Sequence, residues 1–329
     1  MKAIAINPRE LFWEFDRKKL RSVIRAIILL QAILFAFLYY QLRDPFKWLQ
    51  PYLPGAVGAP QYLYSIYGPF DDAMQKPMAV TVSGRRIFVS DTGNSRVMVF
   101  DYNGDYIHTF GSNGTEPGQF RFPYGIAADS QGRILVADMY NGNISVFSPQ
   151  GAFLNYFATP ADMTSPAGLA IADGRVYVAD VARHQILVFD EEGNKLFEFG
   201  QEGSETGQFL SPNAVAVHDM YVAVSDTGNH RIQIFNKLGT LVNEIPVIEE
   251  GRSFANPRGI AFTTRGELYA VNNMTHQVTS FTQNGDLQHL FGKMGQGPGE
   301  AFLPNGLFID DLGRVYVTDT SNRRVNVYQ

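Results

Sequence analysis

Cysteine is absent from the 329 residues, which excludes disulfides, thiolate metal sites and a cysteine nucleophile, and suits either redox compartment. Charge is scarce as well: Asp, Glu, Lys and Arg make up 18% of the chain against 45% hydrophobic residues. That balance excludes a solvated, disordered chain. Clustered basic residues are missing everywhere except at the start. Lys2, Arg9, Arg17, Lys18, Lys19, Arg21 and Arg25 oppose only Glu10, Glu14 and Asp16, so residues 1–25 carry +4 and leave −9 for the remainder of the net −5. A nucleic-acid backbone requires clustered Lys and Arg, so no nucleic acid is expected as a partner. Glycine (31) and proline (17) are plentiful, as in a turn-rich β protein.

Residues 26–42 read AIILLQAILFAFLYYQL, seventeen positions without a charge, the short end of the range for a spanning helix. The Leu, Ile and Phe residues favour insertion by about −3 to −5 kcal/mol in total, which Gln31 partly offsets. Tyr39 and Tyr40 fall where interfacial aromatics belong, and the preceding basic cluster orients the N-terminus to the cytoplasm. A signal peptidase needs a small-x-small site close by, and Gln41-Leu42-Arg43-Asp44-Pro45 offers none. The expectation is an uncleaved transmembrane signal anchor after a basic cytoplasmic tail (1–25). Prolines 45, 51, 54 and 60 mark residues 43–60 as a semi-rigid linker.

Prolines at 77, 123, 166, 212, 257 and 304 each open the same pattern, at spacings of 43 to 47 residues. The openings PMAVTV, PYGIAA, PAGLAI, PNAVAV, PRGIAF and PNGLFI lead into second runs such as RIFVSD, RVYVAD and RVYVTD. Third runs (RVMVF, RIQIF, RVNVY) follow a tight turn, and fourth runs follow a glycine, as in DYIHTF and NKLFEF. Four short β-branched and aromatic runs per repeat predict the blades of a propeller. The segments SDTGNSRVMVF and SDTGNHRIQIF resemble the NHL-repeat family, as do the loops GTEPGQFRFP, GSETGQFLSP and GQGPGEAFLP. The resemblance covers residues 61–329 and implies an all-β, six-bladed propeller of four-stranded antiparallel blades. The last repeat ends after its third strand, so residues 62–76 are expected to supply the missing outer strand and the next loop, closing the ring and removing an exposed edge.

An Asp ends the second run of most repeats (Asp91, Asp138, Asp180, Asp226, Asp319, with Asn272 in the fifth). Asp and Asn at such positions accept backbone N–H groups in tight turns, so the array reads as structural. Arg96, Arg231, Arg323 and Arg324 in the same turns are expected to pair with neighbouring groups. The residue after each proline is placed at the mouth of the axial channel: Met78, Tyr124, Ala167, Asn213, Arg258 and Asn305. Of these, Tyr124, Asn213, Arg258 and Asn305 are the candidate ligand-binding residues, suited to an anionic or polar ligand. The architecture also resembles peptide-amidating lyases, which imply a histidine-held zinc at such positions, and gluconolactonase-like propellers, which imply a divalent cation on Asn and carboxylates. None of the six positions is His or acidic, and the six histidines (His108, His184, His218, His230, His276, His289) are scattered through the repeat. No metal, no cofactor and no catalytic residue is therefore expected.

These residues point to a membrane-anchored extracytoplasmic scaffold that binds a protein, a polymer or a smaller ligand. The competing expectation is a hydrolase or lyase, lactonase-like or amidating-lyase-like, working at the channel mouth.

Overall fold

Runs of five to seven residues rich in Val, Ile, Phe and Tyr become strands here, each ended by a Gly, Asn or Asp turn. The structure, a computed structural model, describes residues 24, 27–31 and 58–329 except 160, 246, 250, 251, 283 and 284. The expected tail, most of the expected span at 26–42 and most of the linker lie outside the described residues. Residues 27–31 are helical and exposed. Among the described residues no helix is long and apolar enough to cross a membrane.

From Ala59 to Gln329 the chain is one compact unit in which six four-stranded antiparallel sheets follow one another. Blade 1 runs through Pro77–Ser83, Arg86–Asp91, Arg96–Asp101 and Tyr106–Phe110 from its inner to its outer strand. The inner strands of blades 2 to 5 are Pro123–Ala128, Pro166–Ala172, Pro212–His218 and Pro257–Phe262, and that of blade 6 is the short Leu307–Ile309. The third strand of blade 6, Arg324–Tyr328, has no strand after it. Its outer partner is Tyr62–Tyr67, paired antiparallel with Ser65 opposite Asn326 and Ile66 opposite Val325. Gln61 and Gln329 exchange two backbone hydrogen bonds of 2.8 and 2.9 Å beyond the strand ends. The six-bladed architecture and its closure by the first strand thus stand as the repeat implied.

The core is divided among the blade interfaces. Successive residues of a strand face opposite sides, so in Arg86–Asp91 Ile87 and Val89 pack with Tyr316, Val325 and Val327 of blade 6, while Phe88 packs with Phe120, Ile126 and Phe147 of blade 2. Both faces of a middle strand are therefore apolar, which is why these runs read as continuous rather than alternating hydrophobic segments. Each fully buried side chain of this kind contributes about 1.5–3 kcal/mol.

Candidate functional site

The inner strands are bent where they enter the channel. Register slips between the proline and the second or third residue after it in blades 1 to 5, and bulges of this kind re-aim side chains. Lys76, Ser211, Asn256 and Leu303, immediately before four of the prolines, take positive φ. The small residue two positions after the proline lets adjacent inner strands approach: a Cβ on Gly168 would lie 2.6 Å from Ala214 Cα, and one on Gly306 2.7 Å from Ala79 Cα. The resulting axial cavity, about 230 Å³, is lined by Met78, Tyr124, Asn213 and Asn305 together with apolar residues such as Leu169, Ile260 and Leu307.

Three of the four candidate residues meet. Tyr124 reaches past blade 3, where Ala167 is small, and its Oη donates to Asn213 Oδ1 at 2.8 Å. Arg258 Nη1 donates to the same Oδ1 at 2.8 Å and to Tyr124 Oη at 3.4 Å. Asn213 is held in turn by its Nδ2, which donates to Ser211 O at 3.1 Å. Blades 2, 4 and 5 are thereby linked across the mouth. Asn305 lines the cavity but is committed within its own blade, donating through Nδ2 to Leu303 O and Thr320 Oγ1 at 3.1 and 2.9 Å. Arg258 Nε is buried without a partner, and among the described residues no carboxylate pairs with this guanidinium. Arg258 is half-buried and is not among the residues that line the cavity, and its guanidinium keeps a donor that the protein does not use.

In blades 1 to 4 the recurring acids pair across the sheet with the prolines that precede the mouth residues. None of the recurring acids lines the cavity, and they are bonded to their own turns and loops. Asp226 accepts from Leu210 N at 2.7 Å, Asn229 Nδ2 at 2.8 Å, Arg231 Nε at 2.8 Å and Gln233 Nε2 at 3.2 Å. Asp138 accepts from the backbone N–H of Arg121, Phe122, Tyr140 and Asn141 at 2.6 to 3.0 Å. The turn that follows is a short 3₁₀ segment in four blades, Thr92–Asn94, Thr227–Asn229, Asn273–Thr275 and Thr320–Asn322. Its first side chain stitches the ring: Thr227 Oγ1 donates to Pro257 O at 2.6 Å, Asn273 Nδ2 to Pro304 O at 2.7 Å and Thr320 Oγ1 to Pro77 O at 2.7 Å. Three of the histidines expected to be scattered through the repeat instead share one place, immediately before the third strand, and form a second recurrent device. His184, His230 and His276 each accept, through Nδ1, the backbone N–H of the residue before the next proline, at 3.0, 3.3 and 3.0 Å. Their signal was their common place at the left-handed end of the turn, where φ is 56°, 56° and 61°. Among the described residues no three His, Asp or Glu side chains gather as a metal site.

Comparison with known proteins follows the same lines. Residues 120–147 and 163–189 match the NHL repeat, and residues 71–131 match a family described as a 6-bladed beta-propeller. A stretch of 138 residues, 41% of this chain and 13% of the relative, is 29% identical to protein brain tumor of Drosophila melanogaster. Another of 78 residues, 23% of this chain and 22% of the relative, is 28% identical to human NHL repeat-containing protein 3. The matched stretches thus span less than a quarter of these relatives' lengths. Among solved structures, a streptogramin B lyase superposes with a TM-score of 0.57 at 16% identity, over 77% of this chain and 79% of that one. An auxiliary nutrient binding protein from Bacteroides thetaiotaomicron superposes at 0.62 and 12% identity, over 82% and 75%. At such identities the likeness is one of fold.

Proposed function

We propose that this chain, which carries NHL repeats and folds as a six-bladed β-propeller, is a membrane-tethered binding scaffold. Residues 26–42 anchor it, the tail 1–25 is cytoplasmic, and the propeller stands outside, where its axial mouth takes an anionic or strongly polar group of an extracytoplasmic protein, polymer or smaller ligand. The observation that carries the reading is Arg258. Its guanidinium is locked to Asn213 and Tyr124 through Nη1 while the Nε edge stays unbonded. A preorganised, half-buried cation of this kind favours binding because little ordering remains to be done when the partner arrives.

The test is crosslinking and recovery of the partner from intact membranes, comparing the natural chain with Arg258→Ala. A hydrogen bond to a charged group contributes about 1.5–3 kcal/mol, so recovery is expected to weaken roughly ten- to hundredfold. A hydrolase or lyase at the same mouth, dependent on a cation as the resembling enzymes are, behaves differently. The purified chain would then hold stoichiometric zinc or calcium and lose function to a chelator, whereas the scaffold is indifferent to chelation.

A further inference from the structure

The third strand opens with an arginine in blades 1, 4 and 6 and with Gln185 and Gln277 in blades 3 and 5, whereas blade 2 has the shorter Asn143 there. Arg231 in blade 4 and Arg324 in blade 6 each fill the space between their own blade and the preceding inter-blade loop. Arg231 Nη2 donates to Glu205 O and Gln208 O at 2.8 and 3.0 Å. Arg324 Nη2 donates to Gly297 O and Glu300 O, both at 2.9 Å. Two residues on, Gln233 and Asn326 each add a bond to the same loop, at 2.7 and 2.9 Å. Blade 2 has Asn143 and Ser145 in these two places, and both are too short to cross. Beside Asn143 lies a cleft of about 430 Å³ whose lining includes Thr115, Arg121, Tyr140, Asn141, Asn143 and Tyr156. That is within the range of roughly 300–1,000 Å³ of small-molecule sites.

The cleft's chemistry is specific. Asn143 is 8% exposed, and its Oδ1 is buried with no partner, as is Ser145 Oγ on the same face of the strand. Unsatisfied buried polar atoms are costly, about 1–3 kcal/mol each, and Asn143 lines the cavity, so its Oδ1 calls for a ligand that donates a hydrogen bond. Two aromatic side chains accompany it. Tyr140 is 60% exposed and braced by Phe122 at a ring separation of 4.5 Å, and Tyr156 of the outer strand also lines the cleft. Arg121 has a guanidinium 5.9 Å from the Tyr140 ring centre and no acidic partner among the described residues. No carboxylate lines the cleft. Hydroxyl donors, a flat face for tyrosine rings and one negative charge for Arg121 are the features of an acidic sugar.

We infer that this cleft on blade 2 binds a uronic-acid-containing saccharide, with a ring hydroxyl on Asn143, a pyranose face against the tyrosines and the carboxylate on Arg121. The site is separate from the axial mouth and does not depend on the reading of Arg258. The probe is trigalacturonate, titrated calorimetrically into the full chain held in a detergent without a sugar headgroup, with maltotriose as the neutral control. The natural chain is expected to bind trigalacturonate at least tenfold more tightly than maltotriose. Asn143→Arg, which restores the side chain of blades 4 and 6, is expected to keep the fold and abolish binding. Arg121→Ala and Tyr140→Ala, both at exposed positions, are expected to weaken it tenfold or more. Failure of both saccharides to bind, equal binding of the two, or unchanged binding by a folded Asn143→Arg chain would each overturn the assignment.

Discussion

At the scale of single residues, the turn aspartates show how one side chain fixes an inter-blade loop, a turn and the following strand together. Asp226 is wholly buried and Arg231 nearly so, and their 2.8 Å bond leaves neither charge uncompensated. Removing one partner of a buried pair costs about 3–5 kcal/mol because the other is stranded, so Asp226→Ala is expected to lower stability by that amount in urea unfolding. Asp138 faces backbone donors rather than an arginine, and Asn272 performs the same task in blade 5 by accepting from Ala255 N at 2.8 Å. Asp138→Asn should therefore cost distinctly less, about 1–3 kcal/mol. Histidine sets a pH limit. Burial holds the His276 imidazole below its ordinary pKa although Asp319 pulls it upward, and burial with the nearby Arg86 lowers His108 too. A folded-state pKa below the unfolded one means that the neutral form is favoured in the fold. Its contribution is complete above about pH 6.5 and is lost as pH falls through the lower folded values. Protonation would also remove the acceptor that His276 Nδ1 offers to Leu303 N–H. Thermal midpoints are expected to be level between about pH 8 and 7 and to drop below about 6.5, with a shallower drop in His276→Asn.

At the scale of elements, the strand Tyr62–Tyr67 pairs with a strand at the opposite end of the sequence, Arg324–Tyr328. Ser65 Oγ donates to Asn326 Oδ1 at 2.6 Å, Ile66 is buried against blades 6 and 1, and Tyr64 Oη donates to Tyr102 O at 3.3 Å. Behind it, Tyr316 Oη donates to Asp310 Oδ2 at 3.1 Å and Tyr102 Oη donates to the same oxygen, while Arg314 lies 4.5 Å from the Tyr102 ring centre. Shortening Ile66 to Ala opens a cavity worth about 2–5 kcal/mol. Hydrogen exchange is expected to quicken in Tyr62–Tyr67 and Arg324–Tyr328 together while blade 3 keeps its protection; uniform acceleration everywhere would contradict a locally closed ring. Strand count, repeat phase and this closure were all legible from the sequence, because they rest on periodicity and turn chemistry that recur every 43 to 47 residues. The site was legible only in part. That Tyr124, Asn213 and Arg258 face one channel follows from their place after the prolines, but that they bond to each other while Asn305 turns to Thr320 depends on side-chain reach across the ring. The blade 2 cleft was hidden for the opposite reason: Asn143 looks ordinary until its counterparts Arg231 and Arg324 are seen to bond to the preceding inter-blade loop.

At the scale of the whole molecule, a ring closed by pairing its first strand with its last repeat has no privileged starting point. The six interfaces are alike in kind, each an apolar cluster shared by two neighbouring blades, and Gln61 and Gln329 already lie within hydrogen-bonding distance. Joining these two residues by a short Gly/Ser linker and reopening the chain in the exposed hairpin turn at Asp173–Gly174, where a Cβ on the glycine would meet nothing, leaves every strand pair intact. Reopening between Val188 and Phe189 cuts the third strand of blade 3, where Ile186, Leu187, Val188 and Phe189 pair on both sides and are fully buried. Exposed loop tips tolerate new termini and buried strands do not. The first permutant is expected to unfold cooperatively within a few degrees of the unpermuted Ala59–Gln329 unit, and the second to be recovered aggregated, since it presents two cut edges for intermolecular pairing. If the hairpin permutant lost cooperativity as well, stability would depend on the order in which blades are laid down, and the outer strand would be a late addition to a preformed stack instead of an equal member of the ring.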